Sequence, residues 1–89
     1  MIHPSFIKPI KSLQENINGK EVSVCLFDNE VFFIVKYIWY DKYGRSYVTC
    51  YFSKKTLSIH SVSTDSDYSV TSLFETRSNL INHARQYIA

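Results

Sequence analysis

The chain has 89 residues and a formal net charge of +2, from 10 basic and 8 acidic side chains. Its apolar fraction of 45% and aromatic fraction of 16% exclude an intrinsically disordered chain and point to one β-rich domain over residues 1–89. The longest apolar run, residues 31–35, is far short of the roughly 20 residues of a membrane-spanning helix, so no membrane is expected.

Residues 1–5 read as a loose lead, with no uninterrupted apolar run that would make a signal peptide. Phe6, Ile10, Leu13 and Ile17 then recur at helical spacing. Pro9 suits the first helical position and Gly19 the position past the end, so a helix is expected over residues 9–18. Three strands follow: residues 20–27, 30–40 and 45–53. They are joined by a two-residue turn at Asp28-Asn29 and a four-residue turn, Asp41-Lys42-Tyr43-Gly44. Those turns set the register: Phe27 opposite Glu30, Leu26 opposite Val31, Tyr40 opposite Arg45, Trp39 opposite Ser46.

Side chains alternate between the two faces of a sheet. One face therefore collects Val22, Val24, Leu26, Val31, Phe33, Val35, Tyr37, Val48, Cys50 and Phe52, with Trp39 at its end, and is a core face. The other collects Ser23, Cys25, Phe27, Glu30, Phe32, Ile34, Lys36, Ile38, Tyr40, Arg45, Tyr47, Thr49, Tyr51 and Ser53, and is mixed, with both charges and apolar residues, and rich in tyrosine. Lys54-Lys55 is the next turn. A fourth strand is expected over residues 56–62, with Leu57 and Ile59 on the core face. Residues 61–69 form a polar stretch expected to be a mobile loop.

The segment from Tyr68 to Phe74 has two readings. It alternates like a fifth, edge strand, the reading preferred because Thr76 is a good helix N-cap. Alternatively, Ser72 and Glu75 could form a capping box that opens a helix. A C-terminal helix over residues 77–88 presents Leu80, Ile81, Ala84, Tyr87 and Ile88 as one stripe, with His83, Arg85 and Gln86 off it. The expected fold class is α+β: an N-terminal helix, a four- to five-stranded antiparallel β-meander, and a C-terminal helix packed on the sheet.

Chemistry-bearing patterns are sparse. His3, His60 and His83 have no metal-ligand spacing, and no CxxC accompanies them, so no metal site is expected. Cys25 and Cys50 fall on opposite faces of strands that do not neighbour each other, so a disulfide between them is not expected. Two free thiols suit a reducing, cytoplasmic setting. Cys25 with His60 is the one nucleophile–base pair that could be tested, and both lie on separated strands. Asp28 and Asp41 are turn residues, Asp65 and Asp67 share a loop, and Gly19 and Gly44 belong to no phosphate-binding loop. The chain is therefore not expected to be an enzyme or to carry a cofactor.

What remains is the second sheet face. If a helix crosses to it, its residues are a second core layer. If it is open, its tyrosines and cations suit protein contact, since Tyr and Arg are enriched at interfaces. Lys36, Tyr40, Arg45, Tyr47 and Tyr51 are the candidate partner-binding residues. The expectation is a small binding protein of a phage or mobile element, one that binds or inhibits a host protein. A nucleic-acid module is the alternative, with Lys36, Arg45, Lys54 and Lys55 on phosphates. A homodimer, through the same face or an edge strand, is compatible with either. The turn Tyr-Asp-x-x-Gly-Arg at residues 40–45, and Phe-x-Thr at residues 74–76, lie in a meander-then-helix outline over residues 32–88. That outline is similar to the small N-terminal DNA-binding domains of phage-type integrases. The resemblance implies a sheet laid in the major groove of DNA, although the basic, Gly-rich strands of that family are not present in this chain.

Overall fold

Asn18 and Gly19 decide how the chain begins. Both have positive φ, 53° and 79°, the combination that a two-residue hairpin loop requires. They join Ile17 to Lys20 across an antiparallel pair. The expected N-terminal helix is thus a strand, β1 (Lys11–Ile17), paired with β2 (Lys20–Asp28). The misreading has a simple cause. Leu13 and Ile17 are four residues apart, a spacing that returns to one face both in a helix and in a strand. Ile10, read as part of the helical stripe, is 66% exposed. The structure, a computed structural model, describes residues 9–42, 44–65 and 67–88; Phe6 and the expected lead lie outside them.

The remaining elements are β3 (Phe32–Asp41), β4 (Gly44–Ser53), β5 (Ile59–Thr64), α1 (Asp67–Phe74) and α2 (Arg77–Arg85). The strands form one antiparallel sheet in the order β1-β2-β3-β4-β5. The β2–β3 turn is two residues later than expected, with Asp28 opposite Phe33 and Leu26 opposite Val35. The Asn29 side chain fixes it by accepting from the backbone N–H groups of Val31 and Phe32, at 2.8 and 2.7 Å. An Asx turn of this kind lets Asn hold the chain reversal from its first position. Each residue's partner thereby moves by four positions, an even number, so no side chain that stays in a strand changes face. Val31, expected on the core face opposite Leu26, falls instead in the turn and is 58% exposed. Across β3 and β4, Tyr40 faces Arg45 and Trp39 faces Ser46, as expected.

Past β4 the chain departs from expectation again. Ser53 Oγ accepts from the backbone N–H of Lys55 and Thr56, and this local turn displaces the next strand. β5 therefore begins at Ile59, opposite Phe52, with a bulge between Tyr51 and Phe52. Ile59 is on the core face, as read. Leu57 is not; it sits in the loop with a φ of 60° and is 45% exposed. Of the polar stretch expected to be a mobile loop, residues 61–64 complete β5 and the segment from Tyr68 onward is helical. The Tyr68–Phe74 segment is thus the helix α1, not an edge strand. Its end is set by Glu75, at φ 65°, after which Thr76 caps α2 by accepting from the Asn79 N–H at 3.1 Å.

Both helices pack on the same face of the sheet. The Phe74 ring meets Tyr37 edge-on, with centroids 5.2 Å apart, and the Arg85 guanidinium lies over the Phe52 ring. Leu73, Phe74, Leu80 and Ala84 close over Val22, Val24, Val35, Tyr37, Trp39, Val48, Cys50 and Phe52. Ile81 packs at the edge of this core, as do Tyr87 and Ile88, which lie in the turn after α2 because the helix ends at Arg85 and not at residue 88 as expected. Cys25 and Cys50 are free thiols. Burial pushes the Cys50 thiol up to about 12, so it stays protonated as an apolar core residue.

Candidate functional site

The opposite face of the sheet is built by the alternation of β3 and β4. Phe32, Ile34, Lys36, Ile38 and Tyr40 of β3 stand opposite Ser53, Tyr51, Thr49, Tyr47 and Arg45 of β4. Cys25 and Phe27 of β2 continue the surface beside Lys36 and Ile34. Every helix contact described above falls on the core face, so the two helices leave this side without a covering layer among the described residues.

The side chains on this face shield one another. Tyr51 packs edge-on against Phe32 at 5.7 Å, and Phe32 tilts over His60 at 4.8 Å. The Lys36 ammonium lies 5.8 Å from the centre of the Tyr47 ring, a cation–π contact. Thr49, in the middle, is only 5% exposed although no helix lies above it. Lys36, Tyr47 and Tyr51 are half-buried, Arg45 is exposed and Tyr40 is 75% exposed. The result is an aromatic surface whose rings pack on one another, with an exposed Tyr40 at one end. All five expected partner-binding residues, Lys36, Tyr40, Arg45, Tyr47 and Tyr51, share it.

The cations expected to hold phosphates are not gathered. Lys36 and Arg45 are on this face. Lys54 instead forms an ion pair with Asp28 at 3.1 Å and lies over the Phe33 ring, on the core side. Lys55 is exposed in the turn after β4. Arg45 and Lys54 are separated by the length of β4, roughly 30 Å at the rise of an extended strand.

The one candidate nucleophile–base pair is also apart. Cys25 is on β2 and His60 on β5, three strand spacings or about 14 Å across the sheet. Among the described residues, no three His, Cys, Asp or Glu side chains converge as a metal site would require. No helix among them is long and apolar enough to cross a membrane.

A second polar cluster escaped the sequence reading. His83, read as lying off the apolar stripe, shares a hydrogen bond of 2.8 Å between its Nδ1 and the Tyr37 hydroxyl. Its ring contacts Phe74 and Tyr87, and the Tyr87 hydroxyl donates to Glu15 Oε1 at 2.6 Å. The cluster ties α2 to β3 and β1. Burial raises both phenols well above the ordinary tyrosine range, helped for Tyr87 by its bond to Glu15. It also lowers His83, against the pull of the Glu15 carboxylate. A shallow groove of about 540 Å³ runs beside His83, lined by Ile17, Phe74, Asn79 and Asn82. The sequence signal was available: the stripe residues Leu80, Ala84 and Tyr87 flank His83, so its ring reaches the rim of the core.

No protein-family model, no curated protein and no solved structure matches this chain.

Proposed function

We propose that this chain is a non-catalytic binding protein that takes a protein partner on the sheet face of β3 and β4, through Lys36, Tyr40, Arg45, Tyr47 and Tyr51. The observation that supports this reading is the placement of both helices on the other side. A sheet face bearing Phe32, Ile34, Ile38 and three tyrosines, which nothing among the described residues covers, is costly to leave in water unless something uses it. Tyrosine suits contact surfaces because it presents a large apolar ring and a hydrogen-bonding tip on only two rotatable bonds. Lys36 and Arg45 add charge for orientation and encounter.

The test is Y47A/Y51A, compared with the unaltered chain in affinity purification and in thermal unfolding. Loss of captured partner, with a cooperative transition retained, is the expected result. Collapse of the fold would show these rings to be core, and unchanged capture would place the contact elsewhere. Retention of DNA or RNA with affinity falling steeply as salt rises would replace the protein partner with a nucleic acid, because phosphate contacts release counterions.

A further inference from the structure

β1 is an edge strand, and its sequence is complementary to itself. Among the described residues its only neighbour in the sheet is β2. The two-residue Asn18-Gly19 loop makes Ile17 and Lys20 a hydrogen-bonded pair, since the residues flanking such a loop exchange both backbone bonds. The backbone groups of Ile17, Glu15 and Leu13 therefore point toward β2. Those of Gln14 and Ser12 point outward, at the free edge. An edge of this kind is a template for another strand.

We infer that this edge pairs with β1 of a second copy of the same chain, antiparallel and centred on Leu13. In that register Lys11 faces the partner's Glu15, and Glu15 faces the partner's Lys11. Leu13 meets the partner's Leu13 between them. Ser12 and Gln14 exchange backbone bonds with the partner's Gln14 and the partner's Ser12. Lys11, Leu13 and Glu15 all stand on the core side, opposite Leu26, Val24 and Val22. The contact is thus an apolar pair flanked by two ion pairs, all on one face. Moving the centre to Gln14 would put Leu13 opposite the partner's Glu15 and Lys11 opposite the partner's Ile17, so charge complementarity selects one register.

A charge that merely protects an edge sits mid-strand and points inward; here the middle is Leu13 and the flanking charges are of opposite sign. The opposite edge offers no such match, since β5 is bulged against β4 and touched by α1. The symmetry axis stands perpendicular to the sheet. The helices of both copies then lie on one side and the two tyrosine-rich faces on the other, with β1 and β2 of each copy between them. The pairing does not depend on what that surface binds.

Sedimentation equilibrium over a range of concentrations tests the pairing. The unaltered chain should move from monomer to dimer. K11E sets like charges opposite each other at both ends and should weaken the dimer roughly tenfold. The double variant K11E/E15K should recover it, and K11E mixed with E15K should form the heterodimer in preference to either homodimer. Because Glu15 also holds the Tyr87 hydroxyl, Ser12→Pro gives a second route: it removes an outward amide without touching the β1–β2 ladder, and should abolish dimerisation while the chain stays folded. A chain that remains monomeric to roughly millimolar concentration, or a dimer indifferent to K11E and Ser12→Pro, would overturn the inference.

Discussion

His83 shows how one side chain can carry more structure than its position in a hydrophobic pattern implies. Its hydrogen bond to Tyr37 joins α2 to the central strand, and its neighbours Phe74 and Tyr87 reduce its contact with water. Desolvation disfavours the charged imidazolium, so the folded chain binds its proton at lower pH than the unfolded chain does. The unfolded histidine titrates near its ordinary value of 6.5. Below that pH the unfolded state holds more protons, and stability must fall as pH falls until the folded histidine is also protonated. Urea midpoints measured from pH 7.5 to pH 5 should therefore decline, and His83→Gln should flatten the slope in that window. An unchanged slope would place the titration elsewhere.

At the scale of elements, local turn chemistry outweighs apolar periodicity. Gly19 is the clearest case. A Cβ at this position would meet nothing within 4 Å, yet φ is +79°. Gly19→Ala should then cost about 1–2 kcal/mol from backbone strain alone, with no steric contribution. Thr76→Ala removes the acceptor of the Asn79 N–H and should cost about 1 kcal/mol. Both are read from chemical denaturation with an unchanged m-value. The faces of the three middle strands were legible in the sequence because strand alternation survives any even shift of register, as at Asn29. The C-terminal helix was legible because Thr76 and its apolar stripe agreed. The start of the chain was not, because Leu13 and Ile17 fit both periods and only Asn18-Gly19 distinguished them. Helix α1 was misread because Tyr68, Val70, Ser72 and Phe74 alternate plausibly as a strand. What decides the matter is tertiary: Leu73 and Phe74 are buried together under 10% exposure only if that segment coils onto the sheet. Asp65 also marks the entry to α1. Desolvation opposes its ionisation, but the Ser69 hydroxyl and backbone amides outweigh it and hold its carboxyl below the usual range.

For the whole molecule, the consequence of the topology is asymmetry. Here both helices that follow the meander lie on one side, and the residues they cover are those that the alternation assigns to the core. The five candidate contact residues were legible as a group because they depend only on the β3–β4 register, which the sequence sets at Tyr40 and Arg45. Whether that face is open depends on where the helices land, and no periodicity reports that. The most direct test is the solvent accessibility of individual tyrosines, measured by NMR with a soluble paramagnetic agent at low protein concentration. The account predicts strong relaxation enhancement at Tyr40, clear enhancement at Tyr47 and Tyr51, and protection of Tyr37, which is fully buried under Phe74. Protection of Tyr47 and Tyr51 to the level of Tyr37 would contradict it, and would make the proposed binding face a second core layer.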